Sequence, residues 1–274
     1  MIAIVTCGEM PEPDVDEPIL ANGLTVAGIS SKLVAWDDPA VDWASFELAI
    51  VRSTWNYLDD PCGFLNWMER TSKATHLWNP VELMRTNLHK RYLLELSNRG
   101  VPIVPTTIVE KGATFDLQAW GDQVVVIKPA ISAGSWLTKK LVASSEEAEN
   151  FLQENSARED MLIQPFVESV DRGGESSWVW IDGEVTHGVI KQPRFHEGFE
   201  AVTVAPTPNA AQLAAVQKIM SLLPVTPFYA RIDLMESEGE YLLSELELIE
   251  PSLFFLQNPR ALDRFIAGVK QRLA

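Results

Sequence analysis

Three glutamates lie in an apolar stretch near the end of the chain, "YLLSELELIEPS" at residues 241–252. If this stretch is a β-strand, its side chains alternate between two faces, so Glu245 and Glu247 lie side by side on one of them. Neighbouring carboxylates repel each other and resist burial unless a cation neutralises them. The pattern therefore indicates a cation site, and Glu250 follows just beyond the pair.

The residues before this stretch predict its partner strand, because "FYARIDLMESEGEYLLSELELI" is typical of a β-hairpin that turns near residues 238–239. If the turn has three residues, Asp233 lies opposite Glu245 and Arg231 lies opposite Glu247. A two-residue turn would send Asp233 to the other face, because a slip of one residue inverts the alternation. Both turns remain open, and a site that combines the three acids requires them on one face.

Asp233, Glu245 and Glu247 are candidate metal ligands. Three carboxylates that converge from adjacent strands offer the hard oxygen atoms that Mg²⁺ prefers, and Mg²⁺ completes its shell with water and phosphate oxygens. The alternative is a solvated acidic face on which Arg231 pairs with Glu247 across the strands.

Two lysines and a loop of small residues are candidates for binding phosphate. Lys128 ends a β-branched strand in "VVVIKPAISAGSW", and the loop from Ser132 to Ser135 follows it. The amides of such a loop can approach phosphate oxygens, and the lysine adds a point charge. Lys90 lies on a helix that apolar residues predict between Leu83 and Leu96. Taken alone, Lys90 is typical of a surface lysine.

A short apolar strand, "MLIQPFVES", contains a possible hinge for a nucleotide base. Pro165 has no N–H and interrupts the strand ladder, which frees backbone groups to bond an adenine edge. Glu175, in "RGGESSW", could accept hydrogen bonds from ribose hydroxyls, with an ordinary loop acid as the alternative.

The elements that must position these residues alternate between strands and helices. Strands are expected at residues 2–6, 32–36, 47–53 and 76–79, with an amphipathic helix between the last two. This order predicts a parallel, doubly wound sheet. From about residue 83 the pattern changes to an α+β region with hairpins, one of them about Asp182-Gly183. We therefore expect one domain at residues 1–82 and a second at 83–274.

A candidate substrate site follows a strand of the first domain, in "VRSTWNY" at residues 51–57. Ligands bind at the carboxyl edge of open α/β sheets, and Arg52 could hold a substrate carboxylate there. Ser53 and Thr54 offer hydrogen bonds. In the alternative, Arg52 pairs with an acid and Trp55 lies in a domain interface. Glu250 and Ser252 are further candidate substrate contacts.

Composition excludes several classes of partner. The formal net charge of −16 over 274 residues argues against binding to nucleic acid or an anionic membrane, both of which need basic patches. Small anions remain possible ligands. No apolar run is long enough to span a membrane, and "MIAIVTCGEM" is expected to be a first strand. Two cysteines form no disulfide framework, which favours a cytoplasmic protein. A homodimer is left open.

The order of these features resembles the ATP-grasp superfamily, especially its glutathione-synthetase-like ligases. The resemblance covers residues of about 80–260. It implies an amino-terminal α/β domain followed by an ATP-grasp fold, in which two α+β subdomains enclose the nucleotide. The lid subdomain would lie at about residues 104–168.

The resemblance also implies roles for individual residues. Lys90 and Lys128 look like the lysines that bind ATP phosphates, and Glu175 looks like the ribose acid. The metal-binding set, Asp233, Glu245 and Glu247, would hold two Mg²⁺ ions, although the family usually has Asn where this chain has Glu247. The loop with Ser132, Gly134 and Ser135 looks like the phosphate loop, and Gln164, Phe166 and Val167 look like the adenine hinge. Lys191 lies where such ligases often have a basic residue near the γ-phosphate. Arg231 departs from the family, which often has a small residue there, and would offset the charge of Glu247. Arg231 or Lys191 would stabilise the phosphoryl group during transfer.

The implied activity is that of an ATP- and Mg²⁺-dependent C–N ligase. Such enzymes activate a small, amino-acid-like carboxylate as an acyl-phosphate, which an amine or similar nucleophile then attacks. "ELELIEPS" is similar to the D-cycloserine-ligase-like subgroup, in which the acyl-phosphate closes intramolecularly. The alternatives are a regulatory or assembly protein that binds ATP without turnover, and an α/β binding domain with a metal hairpin and no nucleotide.

Overall fold

The amino-terminal part of the chain forms a parallel sheet, as predicted. The computed structural model describes residues 1–192 and 201–274. The four strands are ordered β2-β1-β3-β4 and are all parallel. The elements of this part are β1 (Ile2–Thr6), α1 (Asp16–Val26), β2 (Ser31–Ala35), β3 (Leu48–Ser53), α2 (Pro61–Ala74) and β4 (His76–Trp78).

Both faces of this sheet are buried, which explains the continuous apolar sequence of its central strands. Along β1, Ile2 and Ile4 join one core with α1, whereas Ala3 and Val5 join another with α2. Each large apolar side chain buried in this way contributes about 1.5–3 kcal/mol. The sheet is therefore covered on both sides, as the doubly wound prediction requires.

The rest of the chain forms two antiparallel sheets. The first has the order β5-β8-β6-β7 and the second β11-β10-β9-β12-β13. The elements up to the end of the first sheet are α3 (Val81–Asn87), α4 (Tyr92–Asn98), β5 (Thr107–Val109), β6 (Val124–Pro129), β7 (Lys139–Val142), α5 (Glu146–Ser156) and β8 (Met161–Pro165). Those that follow are α6 (Ser169–Gly173), β9 (Glu175–Ile181), β10 (Glu184–Lys191), β11 (Val202–Val204), α7 (Ala210–Ser221), β12 (Tyr229–Ser237), β13 (Glu240–Glu247) and α8 (Pro259–Leu273).

The last helix connects the two parts of the chain. Phe265 of α8 lies in the same core as Leu20 of α1 and Tyr229 of β12. The amino-terminal sheet and the five-stranded sheet thus share apolar packing. The α/β fold class is confirmed, and the domain limits near residue 83 and at 104–168 remain predictions.

The single helix predicted around Lys90 is wrong, because two short helices, α3 and α4, take its place. Between them the Lys90 amide donates a hydrogen bond to Ala130 O at 2.8 Å, beyond the end of β6. The Asn87 side chain bonds backbone groups of Leu246 and Leu248. These tertiary bonds replace helical ones, so the helix stops where the chain meets both antiparallel sheets.

The β12–β13 hairpin turns through two residues, Glu238 and Gly239. Their φ angles are 53° and 83°, and Ser237 pairs with Glu240. Positive φ at both positions is typical of the type I′ turn, whose twist matches that of the flanking strands.

A two-residue turn was expected to place Asp233 on the other face from Glu245, and this expectation is wrong. A bulge at Ser244 adds one residue to β13, so Asp233 lies opposite Glu245 and Arg231 opposite Glu247. The Ser244 hydroxyl donates to Asp233 O at 2.9 Å, which fixes the bulge. The three acids therefore share the face that a metal site requires.

Membrane insertion through a helix finds no support in the described ranges. In residues 1–192 and 201–274, no helix combines the length and apolar character that crossing a membrane needs.

Candidate active site

A cavity of about 970 Å³ lies where the β12–β13 hairpin meets the antiparallel β5-β8-β6-β7 sheet and the loops of the amino-terminal sheet. This volume is at the upper end of the range for small-molecule sites. The structure brings together at its wall most residues that the sequence predicted. Those lining the cavity are Lys128, Ser132, Gly134, Ser135, Gln164, Phe166, Val167, Glu175, Lys191, Arg231, Glu245, Glu247, Glu250 and Ser252.

The three candidate metal ligands form one cluster. Asp233, Glu245 and Glu247 each present an oxygen atom, and these atoms lie within 4.8 Å of one another. Asp233 is fully buried, whereas Glu245 and Glu247 reach the cavity. Carboxylate oxygens at such spacing match the ligands that Mg²⁺ takes, so the donor set fits a divalent cation.

Two lysines neutralise one end of this cluster. Lys128 Nζ lies 2.5 Å from Glu245 Oε1, and Lys90 Nζ lies 3.7 Å from the same atom. Lys90 is 7% exposed, so it is not a surface lysine. Burial lowers the pKa of Lys90, although Glu245 opposes this change. Burial raises the pKa of Glu245, but the two lysines outweigh it and hold this pKa well below its usual range.

Arg231 and Lys191 neutralise the other end. Arg231 contacts both oxygens of Asp233, with Nε–Oδ1 and Nη2–Oδ2 distances of 2.9 Å, and it also bonds Glu247. Lys191 Nζ lies 2.7 Å from Asp233 Oδ2 and 3.0 Å from Glu175 Oε2. Burial would raise the pKa of Asp233, but the two cations lower it overall. Burial raises the pKa of Glu247 despite Arg231.

The Arg231–Glu247 pair that the sequence offered as an alternative to a metal site is thus present. It belongs to a buried network rather than a solvated face, because Arg231 is only 7% exposed. It also supplies a positive charge beside the glutamate that replaces the usual asparagine.

The small-residue loop lies against Lys90. Lys90 Nζ donates to Ser132 O at 2.8 Å, and Gly134 and Ser135 adopt positive φ angles of 57° and 60°. A left-handed conformation at consecutive residues is what lets a short loop turn its amides towards one side. The loop and both lysines therefore lie near the same end of the cavity.

The expected adenine hinge forms another part of the wall. Gln164 Nε2 donates to Thr106 Oγ1 at 2.9 Å, and the Phe166 amide donates to Val124 O at 2.9 Å, so the ladder continues one residue past Pro165. Lys140 Nζ lies 3.3 Å from the centroid of the Phe166 ring. The backbone that Pro165 was expected to free thus begins at Val167.

Glu175, the candidate ribose acid, is held by two residues of the carboxylate cluster. It accepts a hydrogen bond from the bulge residue Ser244 and pairs with Lys191. Both partners tie Glu175 to the carboxylate cluster, although it still lines the cavity.

The structure does not bring Arg52, Ser53 and Thr54 to the cavity wall, because all three are almost fully buried behind it. Arg52 Nη2 donates to Pro251 O at 2.7 Å, and Ser53 donates to Glu17 at 2.5 Å. Arg52 thus supports the loop that carries Glu250 and Ser252 rather than facing a ligand itself.

Two residues that were not among the sequence candidates hold this loop. The Asp16 carboxylate accepts hydrogen bonds from the amides of Leu253, Phe254 and Phe255 at 2.6–2.9 Å. Tyr57, in a 3₁₀ turn after β3, lies beside the Glu250 carboxylate. No sequence signal links Asp16 to residues more than 230 positions away, but the acidic start of α1 was visible.

The strand order and this cavity define the protein as one with an ATP-grasp fold. A structure of D-alanine–D-alanine ligase from Bacillus anthracis complexed with ATP shares the fold, with a TM-score of 0.68, 15% identity, and coverage of 99% of this chain and 96% of that one.

The chain belongs to the D-cycloserine synthetase (DcsG) family of these ligases. The family model for the DcsG amino-terminal domain matches residues 2–79. The cycloserine biosynthesis protein DcsG of Streptomyces lavendulae is 32% identical over 297 residues, covering 100% of this chain and 99% of that protein. The DcsG crystal structure gives a TM-score of 0.87 at 30% identity and covers 100% and 99% of the two chains. This protein is therefore an ATP-dependent ligase that joins a carboxylate to an amine.

Proposed function

We propose that this ligase activates the carboxylate of a small amino acid with Mg²⁺-ATP and closes the acyl-phosphate on a nitrogen of the same molecule. The observation that carries the proposal is the carboxylate cluster at the cavity wall, whose oxygens lie within 4.8 Å of one another beside two lysines. The name of the relative, a D-cycloserine synthetase, favours an intramolecular nucleophile because cycloserine is a cyclic amide.

Different residues of the cavity would bind the adenine and the phosphates of ATP. Phe166 would pack against the adenine, and the Val167 amide would donate to it, with Gln164 supporting the hinge. Lys90, Lys128 and the loop of Ser132, Gly134 and Ser135 would bind the phosphates. Glu175 would support the ribose end through its fixed position beside Ser244.

Asp233, Glu245 and Glu247 would hold Mg²⁺, which when bound neutralises phosphate charge and aligns the γ-phosphoryl group. In the structure the same carboxylates are neutralised by Lys128, Lys191 and Arg231. When Mg²⁺-ATP is bound, Glu245 would have another cation to neutralise it, and Lys128 would be available to a phosphate oxygen.

Arg231 and Lys191 would then stabilise the phosphoryl group while a substrate carboxylate oxygen attacks the γ-phosphorus and ADP leaves. Charge is the main barrier, because a carboxylate must approach a polyanion. Both cations line the cavity and are held by buried Asp233, so they need little reorganisation. Glu250 and Ser252 would face the substrate.

The proposal also includes the expected partners, location, domain limits and assembly of the protein. The protein would bind small molecules and no nucleic acid, and it would function in the cytoplasm. The two domains would divide near residue 83, and the assembly would be either a monomer or a homodimer. Size-exclusion chromatography with light scattering distinguishes these two assemblies.

The test is ADP release with Mg²⁺-ATP and a panel of D- and L-amino acids whose side chains carry nitrogen nucleophiles. We expect at least one to stimulate ADP release, to yield a product one water lighter, and to lose activity in EDTA. The variant Glu245→Gln should lose this activity, and the exposed control Glu154→Gln should keep it.

ADP release that no member of the panel raises above the rate with ATP alone would contradict the proposal. Tight Mg²⁺-ATP binding in calorimetry without any turnover would favour the regulatory alternative instead.

A further inference from the structure

Within the described part of the chain, Glu250 forms no ion pair, unlike three other acids of the cavity wall. Glu245 pairs with Lys128, Glu247 with Arg231, and Glu175 with Lys191. Among residues 1–192 and 201–274, no lysine, arginine or histidine forms an ion pair with Glu250, although it is only 7% exposed. A buried carboxylate without a cation is costly to keep, which indicates a function at this position.

The position of Glu250 is rigidly fixed from the amino-terminal part of the chain. The Tyr57 side chain lies beside its carboxylate, and its carbonyl accepts a hydrogen bond from Trp55 Nε1 at 3.4 Å. The next residues are held by Arg52 and by the three amides that bond Asp16. A side chain positioned by such a shell of hydrogen bonds can act on a ligand without reorganising.

Four charged or titratable groups face Glu250 from different elements. They are Glu247 of β13, Tyr229 of β12, Tyr57 of the 3₁₀ turn, and Lys90 between α3 and α4. Burial and the charge of Glu247 raise the pKa of Glu250 from its ordinary value of 4.5 to about 7, while Tyr57 and Lys90 oppose the change. A carboxylate with a pKa near neutrality is suited to accept a proton and release it again.

We propose that Glu250 is the general base of the coupling step, taking the proton from the nitrogen that attacks the acyl-phosphate. This inference rests on the proposed function. The nitrogen lone pair attacks the carbonyl carbon and a C–N bond forms. The C–O bond to phosphate breaks, and its electron pair leaves with inorganic phosphate. The N–H proton passes to a Glu250 oxygen, which later returns it to solvent.

Separate measurements of acyl-phosphate formation and of coupling distinguish a general base from a residue needed for binding or folding. Glu250 acts after acyl-phosphate formation, so Glu250→Gln should still form ADP in a first-turnover burst. Rapid-quench measurements with the best amino acid of the panel should give a burst rate within about threefold of wild type. Steady-state product formation should fall by about 100-fold or more, the usual contribution of a general base. Glu154→Gln, on an exposed face of α5, is the matched control.

Two further variants test the proton transfer to Glu250. In Glu250→Ala, added formate should restore product formation, because a small carboxylate can occupy the vacated space. Tyr57→Phe keeps the ring that stacks on Phe64 with centroids 5.0 Å apart but removes the hydroxyl beside Glu250. Because that hydroxyl lowers the pKa of the Glu250 carboxylate, its loss should move the acid limb of the coupling rate to higher pH.

Several results would overturn the inference. Product formation by Glu250→Gln within threefold of wild type would exclude a base at this position. Loss of the ADP burst together with product, in a variant that ATP still stabilises thermally, would assign Glu250 to activation or substrate binding. Absence of amino-acid-stimulated ADP release in the wild-type protein would instead remove the proposed function.

Discussion

Replacing Glu250 by glutamine should stabilise the protein at alkaline pH while it impairs coupling. The folded protein raises the pKa of Glu250 from 4.5 to about 7. Folding therefore favours the protonated acid, and the ionised acid destabilises the fold. The unfolded chain loses this proton first as pH rises, so stability falls between about pH 4.5 and pH 7. Glutamine is neutral throughout and avoids this loss.

The size of the effect follows from the same two values. The difference between 4.5 and about 7 corresponds to about 3 kcal/mol of unfolding free energy, gained by Glu250→Gln at pH 8. Below pH 4.5 the gain should vanish, because Glu250 is then protonated in both states. Urea denaturation of both proteins at pH 8, pH 6 and pH 4.5 measures it, with Glu154→Gln as the control.

A gain that is the same at pH 8 and pH 4.5 would refute the reasoning, because only a titrating carboxylate makes it depend on pH. A loss of stability at pH 8 would refute it as well. Stabilisation by removal of a functional group is expected where activity requires a costly buried charge.

Three further substitutions test other parts of the structure. Arg231→Met leaves buried Asp233 with Lys191 alone, so it should lower the unfolding free energy by about 3 kcal/mol in chemical denaturation; a loss below about 1 kcal/mol would contradict the network. Phe166→Ala should raise the KM for ATP by roughly tenfold with kcat little changed, since a ring contact contributes about 1 kcal/mol, and an unchanged KM would exclude contact with adenine. Asp16→Asn weakens three hydrogen bonds to the 253–255 amides, so it should lower the unfolding free energy by about 2 kcal/mol in chemical denaturation. It should also slow product formation more than the ADP burst. Equal effects on both rates would exclude a role in positioning Glu250.

The parallel sheet could be predicted from the sequence because its strands are continuous apolar runs separated by helices. The composition of β1 and β3 reflects burial on both faces, which is a local signal. The acidic hairpin was similarly visible, because strand alternation alone puts Glu245 and Glu247 on one face.

The register of that hairpin could not be predicted from local pattern. Ser244 has no feature that distinguishes a bulge residue from an ordinary strand residue, and its bonds to Asp233 and Glu175 form only in the folded sheet. A two-residue turn and a bulge together give the same pairing as a three-residue turn. Local sequence pattern therefore cannot decide which face of the hairpin Asp233 occupies.

Tertiary contacts also explain the other differences. Apolar spacing indicated one helix around Lys90, but the bond from its amide to Ala130 O breaks that helix. Arg52 lies at the carboxyl end of β3, at the expected sheet edge, yet the loop after β13 covers it and accepts its hydrogen bond at Pro251. Both outcomes depend on segments distant in sequence, which composition and periodicity do not report.

The central claim is that ATP activates a substrate carboxylate as an acyl-phosphate. Its most direct test uses an amino-acid substrate whose carboxylate carries ¹⁸O, followed by mass analysis of the inorganic phosphate released. The account predicts that each turnover transfers one ¹⁸O atom from the carboxylate to phosphate. Product formation that yields only unlabelled phosphate would contradict it.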